Sequence, residues 1–367
     1  MFHFVAFGST RGLTILRKKI ILFFTCEPGG AEVLIPAIRL LNEHDYFYVI
    51  VLAYGYALER FKRKKVDFKM IFPIEKNDFD IMDKYSPNLI ITSATSIPNK
   101  DMSEKYLWFN AKRRSISTLA FLDHWQNYCL RFSGKNDSEY MKYLPDNINC
   151  INDIAKEEMI NQGFNAEILH TFGHPYLSGL KKEIEKIDLA SIQSTLNIHS
   201  QQKTILFASE AIYENFGNTR GYNQYEVIDL FLRYCAEAFS EDKIIIKLHP
   251  KDILLNYQST LKKYNNLNLK IVTNELSPAD CIAISDRVFG MTSLMLIEAY
   301  ILGKPVISVQ PNLIIEDPLV LSRYGYIPKV SQFIDFFVNT ELKVLSKKFN
   351  YKFLKKKFLE FIENILE

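Results

Sequence analysis

Two short stretches in the second half of the chain carry groups suited to holding a phosphate. In IIIKLHPKD, Lys247 and His249 stand two residues apart at the end of an apolar run, with Pro250 beside them. Side chains of a strand alternate between its faces, so an ammonium and an imidazole are aimed together. In GMTSLMLIEA, Gly290 ends the approach, and Thr292 or Ser293 caps a helix while offering hydroxyls and N–H groups to an anion. Glu298 follows five residues after Ser293, a little over one turn up that helix. A single carboxylate in so apolar a helix needs a partner, from the protein or from a ligand, and a ribose offers two hydroxyls. Gly303 then stops the helix. The plainer alternatives are a histidine satisfied within its turn and a glutamate paired internally.

The first half offers a different set. In TCEPGGAE, Gly29 and Gly30 permit close backbone approach where a helix begins and presents its N–H groups to an anion. The stretch is neither GxGxxG nor a P-loop, since it lacks the lysine; a tight turn fixed by Pro28 is the structural alternative. Glu27, at the mouth of a cleft, is placed to accept a proton from an acceptor hydroxyl. DHWQNY gathers Asp123, His124 and Trp125 at a strand end: a base, a group that raises its basicity, and an indole to stack on a sugar ring. A polar strand end under an aromatic lid accounts for the same residues without chemistry. His174 and Pro175, in FGHPYLS, mark a turn into a helix with proline at its first position, or a contact near an inter-domain hinge.

The elements that position these residues are legible as an alternation. KIILFFT, YFYVIVLA, MIFPI, NLIIT, STLAFL and NINCIN read as strands, with helical patterns at AEVLIPAIRLLNE, ALERFKRK and IAKEEMINQG between them. After the polar stretch LKKEIEKIDLASIQSTLNIHSQQ the alternation restarts through TILFASE, YEVIDLFLRYCAEAF, KIIIKLHP, LNLKIVT, CIAISD and PVISVQP. This cadence predicts an α/β fold with two Rossmann-like domains, parallel sheets with helices on both faces, facing across a cleft lined by the carboxyl ends of the strands. A length of 367 residues also favours two domains over one. The expected boundaries are an extension at 1–18, a first domain at 19–180, a linker at 181–202, a second domain at 203–345 and a C-terminal helix at 346–367.

A net charge of +3 is too small for a general nucleic-acid binder, so anion binding should be local. The five cysteines form no CxxC pair or metal-ligand spacing, which fits a reducing cytoplasm, and no dense acidic cluster suggests a divalent-metal cage. No apolar run reaches the roughly 18 residues of a membrane span. Lysines beside Phe, Tyr and Leu in KKFNYKFLKKKFLEFIENILE predict a solvated helix with one buried face; weak attraction to the inner face of an anionic membrane is the alternative.

KLHP followed by GMTSLMLIEAYILGKPVIS resembles the nucleotide-binding half of GT-B glycosyltransferases, and is similar to bacterial sialyltransferases, capsule Kdo transferases and teichoic acid glycerol-phosphate polymerases. STLAFLDHW, INCINDIAKEEMINQGF and ILHTFGHPYLS follow the order of UDP-N-acetylglucosamine 2-epimerases and lipid A disaccharide synthase. The resemblance implies an acceptor domain first and a nucleotide-sugar-binding domain second. It implies His249, Thr292 and Ser293 on the donor phosphate and Glu298 on the ribose. The implied activity is metal-independent, inverting transfer from a CMP- or CDP-type donor, or a UDP-type one, to a hydroxyl of a bacterial surface glycan. The nucleotide sugar serves as co-substrate and no cofactor is implied. Nucleotide-sugar epimerisation or hydrolysis, and non-catalytic nucleotide or sugar binding, are the alternatives. The epimerase pattern of His-Arg and Glu-Asn after the second domain's first strand is replaced here by ASEAIYEN. The base stays open between Glu27, Asp123 and His124.

Overall fold

The computed structural model describes residues 4–5, 16–199, 201–338 and 349–367. They form two units, Met1–Ser178 with Asn350–Glu367, and Gly179–Phe349. Of the N-terminal extension, Phe4–Val5 pairs antiparallel with Leu16–Arg17; its remainder before residue 16 lies outside the described residues.

The first unit is built on seven strands in the order Lys69–Met70, Phe47–Ala53, Lys19–Thr25, Leu89–Thr92, Ser117–Phe121, Asn147–Asn149, Leu169–His170, all parallel. KIILFFT is apolar on both faces because both are covered. Ile21 and Phe23 pack with Val33, Leu34 and Ile38 of the helix Pro28–Asn42, while Leu22 and Phe24 pack with Leu52, Leu107 and Ala111 on the other side. Strand order reverses between Lys19–Thr25 and Leu89–Thr92, which puts Thr25 and Ser93 at a switch point where doubly wound sheets leave room for a ligand.

The C-terminal helix, Lys355–Leu366, belongs to this first unit. Phe358, Ile362 and Leu366 are buried in its core, and Lys355, Lys356 and Lys357 are exposed, so the helix has the single buried face its pattern predicts. Its approach is fixed by backbone: Gly173, at φ +93°, lies where a Cβ would collide with the Lys352 carbonyl, and Leu354 N–H donates to Phe172 O.

The second unit has six parallel strands, ordered Leu269–Val272, Lys243–Lys247, Thr204–Ala208, Arg287–Gly290, Val306–Val309, Lys329–Val330. Its reversal falls between Thr204–Ala208 and Arg287–Gly290. Phe207, Phe231, Tyr234 and Phe289 fill one face of the sheet beneath the helix Gln224–Ala238.

Several elements differ from the sequence pattern. Of MIFPI only Met70 lies in a strand, the edge strand Lys69–Met70, and the chain leaves the sheet ahead of Pro73, which has no N–H to donate to a ladder. CIAI closes the helix Pro278–Ile284, started by a capping box between Ser277 and Asp280, and the strand proper is RVFG. The helix Ser103–Lys112 has no clear sequence pattern: it buries Glu104, Lys105 and Asn110, and polar residues on a buried face erase the amphipathic signal. The stretch at 181–202 holds the end of the helix Pro175–Ile184 and the helix Leu189–Thr195, with Ile192 and Leu196 buried. No helix among the described residues is long and apolar enough to cross a membrane.

Candidate functional site

In the second unit the carboxyl ends of three neighbouring strands bring together residues far apart in sequence. The strand Lys243–Lys247 stops before His249, so the alternation of faces that would align Lys247 with His249 does not reach the histidine. Lys247 is buried and its ammonium donates to the Thr273 carbonyl at the end of the adjacent strand. His249 is partly exposed. Its Nδ1 accepts from Lys251 N–H at 3.1 Å, which leaves the ring proton on Nε2, and its own N–H donates to Asp252 at 2.9 Å. Pro250 is exposed beside it.

Gly290 ends the strand Arg287–Gly290 against Ala208, where a Cβ would stand 2.8 Å from Ala208 O and 2.6 Å from Leu296 Cδ1. Close approach of the two strands therefore requires glycine. Of the two hydroxyl residues that follow, Ser293 is the cap of the helix Leu294–Ile301, accepting from Met295 N–H at 3.3 Å. Thr292 is fully buried and engaged elsewhere: its hydroxyl donates to Glu210 at 2.8 Å and accepts from Arg220 at 3.0 Å. Its N–H also donates to the Glu210 carboxylate. Glu298 is 4% exposed, on the buried side of the helix. Leu302 and then Gly303, at φ +76°, end that helix as the sequence predicts.

Glu210 and Arg220 were not singled out from sequence. The available sign was a carboxylate two residues beyond a strand, in ASEAIYEN. Burial pushes the Glu210 carboxyl up, and Asp252 adds to this, against the opposing pull of Arg220 and Thr292.

In the first unit Glu27, Gly29, Gly30 and Asp123 are gathered at the start of the helix Pro28–Asn42. Glu27 is its N-cap residue, and a Cβ on Gly29 would lie 2.4 Å from Asp123 Oδ2. Gly30 abuts the Thr25 and Ser93 hydroxyls, which are bonded to each other at 2.7 Å. Ser93 donates onward to Glu104, a wholly buried carboxylate that also holds Thr95 N–H; burial pushes it up, while the neighbouring Lys105 is pushed down for the same reason.

Asp123 accepts from Arg131 at 2.7 Å. Burial opposes its ionisation, but Arg131, with His124 and His174, outweighs burial and holds its carboxyl below the ordinary range. His124 is buried and sits edge-on to Trp125. Trp125 is not available to stack on a sugar. It is fully buried, donates to Asn152 Oδ1 at 2.9 Å and stacks on His174, because the chain turns inward after Leu122 and the indole finds its partners in the core. His174 is likewise internal: Nδ1 accepts from Leu177 N–H at 3.3 Å, serving the start of the helix Pro175–Ile184, and burial lowers its pKa to about 4.

No protein-family profile matches the sequence, and no curated protein does. Solved structures share the fold. The UDP-GlcNAc 2-epimerase of Neisseria meningitidis, bound to UDP-GlcNAc, has a TM-score of 0.64 at 13% identity, over 94% of this chain and 100% of its own. The S. aureus MnaA structure with UDP has 0.67 at 13% identity, over 95% and 97%. A glycosyltransferase from Rickettsia africae has 0.63 at 13% identity, over 95% and 99%. At such identities the likeness establishes architecture: two doubly wound α/β units of the GT-B kind, as the sequence resemblance implies.

Proposed function

We propose that this chain works on a nucleotide-activated sugar, with its second unit holding the nucleotide, and that its activity is glycosyl transfer to an acceptor hydroxyl. The observation that carries this is the set of groups beyond the carboxyl ends of the two strands that flank Thr204–Ala208: the Nε2–H of His249, the turn at Thr292 and Ser293, and Glu298 on the helix that follows. A donor phosphate takes the imidazole and the helix start, and the ribose takes Glu298. These groups meet the charge of the leaving phosphate without a metal, and the course is a single displacement with inversion.

Deprotonation of the acceptor falls to Glu27, Asp123 or His124. Asp123 is the weakest of these as a base, since Arg131 favours its ionised form. Uridine donors take precedence over cytidine ones, because the Neisseria and S. aureus structures hold UDP-GlcNAc and UDP. Those neighbours also favour a second reading, nucleotide-sugar 2-epimerisation.

Incubation with labelled UDP-GlcNAc and related nucleotide sugars, with and without acceptor glycans, separates the two. Transfer requires that product form only with acceptor present. A 2-epimer or free sugar produced from the donor alone selects the second reading. A thermal-shift series with UDP, CMP, CDP and GDP reports the base, since a ligand of the folded state raises its apparent stability.

A further inference from the structure

The turn at 290–293 already holds an anion, and that anion is a side chain of the protein. Glu210 follows the strand Thr204–Ala208, which flanks the reversal of strand order, and both its oxygens lie on Thr292: Oε1 is 2.8 Å and Oε2 3.1 Å from the hydroxyl, and Oε2 also accepts the backbone N–H. Arg220 is the third member of the triad. It is 2% exposed, donates to the Thr292 hydroxyl at 3.0 Å, and packs over the Phe216 ring at 4.2 Å.

These donors are the ones a phosphate oxygen would use at the crevice of a doubly wound sheet. A carboxylate seated there has two effects on an incoming phosphate. It occupies the hydrogen bonds, and it places like charge beside it. Thr292 and Arg220 are buried, whereas Glu210 as a residue is partly exposed, so it is the member of the triad that borders solvent, although its carboxyl group is itself desolvated where it sits on Thr292.

We propose that Glu210 is a resident anion that closes this turn to phosphate, and that a phosphate-bearing ligand takes the Thr292 donors only as the Glu210 carboxylate leaves them, with Arg220 staying as the countercharge. This rests on the turn being the phosphate seat of the proposed function. Its consequence is selectivity. A bare anion has nothing with which to offset the displacement, while a nucleotide adds base and ribose contacts that do. Glu210 thus excludes free inorganic phosphate and pyrophosphate from a site that admits a nucleotide.

The test is calorimetric titration of pyrophosphate into the full chain, as wild type, Glu210→Gln and Glu210→Ala. Glutamine keeps the size of the side chain and an acceptor for the Thr292 N–H, so the fold is preserved should alanine prove disruptive. A gain of about tenfold or more in pyrophosphate affinity is expected in each folded variant: Glu210→Gln removes the like charge beside the incoming anion, and Glu210→Ala removes that charge and frees the Thr292 donors as well. The gain should vanish in Glu210→Gln combined with Thr292→Val. Unchanged or weaker pyrophosphate binding in Glu210→Gln, or a gain that survives in the double variant, overturns the assignment. UDP is titrated in parallel. UDP binding to wild type with no pyrophosphate gain in Glu210→Gln sinks the Glu210 assignment alone. A pyrophosphate gain with no UDP binding to any of these proteins sinks the nucleotide reading and leaves Glu210 as an anion gate.

Discussion

The carboxylate of Asp123 lies in the space a side chain at Gly29 would need: a Cβ there would come 2.4 Å from Oδ2, while Arg131 holds Oδ1 at 2.7 Å. The first turn of the helix Pro28–Asn42 therefore meets an acid of the protein's own, as the turn before the helix Leu294–Ile301 meets Glu210. In each unit a strand-end carboxylate is seated by a helix start, where backbone N–H groups favour negative charge.

Alanine at the two glycines gives a test of sign. In a helix, Gly→Ala is worth up to about 1 kcal/mol of added stability, whereas overpacking costs about 1–3 kcal/mol. At Gly30 the obstacles are the Ser93 and Thr25 hydroxyls at 2.2 and 2.3 Å, both buried and bonded to each other, so overpacking wins. At Gly29 the obstacle is the end of one side chain that is 24% exposed and has room to give. Urea unfolding should show Gly30→Ala losing about 1–2 kcal/mol and Gly29→Ala close to neutral. Equal losses at the two sites would contradict the assigned contacts.

Acid should destabilise the first unit through His174. Burial lowers its pKa from 6.5 to about 4, so between those values the unfolded chain holds the proton and the folded chain does not. Stability conferred by the neutral ring is therefore complete above pH 6.5 and is lost as pH falls towards 4, by up to about 3 kcal/mol. His170, half-buried and also lowered to about 4, acts in the same direction. His174→Gln removes one titration. Its stability relative to wild type should rise as pH drops from 7 to 4.5 in urea unfolding, and parallel pH profiles would count against the account.

What could be read from sequence follows what each signal depends on. KIILFFT declared itself because a strand covered on both faces is apolar at every position, and the helix starting at Pro175 because proline at N1 is a local preference. Trp125 gave no such sign: an indole at a polar strand end looks the same whether it faces a sugar or Asn152. Lys247 and His249 were paired by an alternation that holds only while the strand continues, and it stops at Lys247. The role of Glu210 depends on a partner 82 residues away, a relation that neither propensity nor spacing encodes.

The C-terminal helix should be essential to the first unit. Phe358 is fully buried, with ring centroids 5.7 Å from both Phe121 and Phe172. Phe358→Ala should cost about 3–5 kcal/mol, the usual range for emptying an aromatic site in a core. Lys356→Glu, on the exposed face, should stay within about 0.5 kcal/mol. Denaturant melts of the two variants provide the check; near-equal effects would mean the helix is not anchored through Phe358.

Nucleotide binding should depend on His249 and Glu298 together. The imidazole Nε2–H and a phosphate oxygen form a charge-assisted hydrogen bond, worth about 1.5–3 kcal/mol, so His249→Ala should weaken UDP binding by about 10- to 100-fold. Glu298→Gln keeps shape and packing in a position 4% exposed and removes only the charge that favours two ribose hydroxyls at once, so a smaller loss of about tenfold is expected. Melting temperatures distinguish a lost contact from a damaged fold, because His249 is partly exposed and its loss leaves the strand Lys243–Lys247 intact. Titration of UDP into the two variants and wild type is the measurement. If affinity is unchanged in both, the nucleotide does not bind at these strand ends, and the phosphate and ribose roles given to this cluster are wrong.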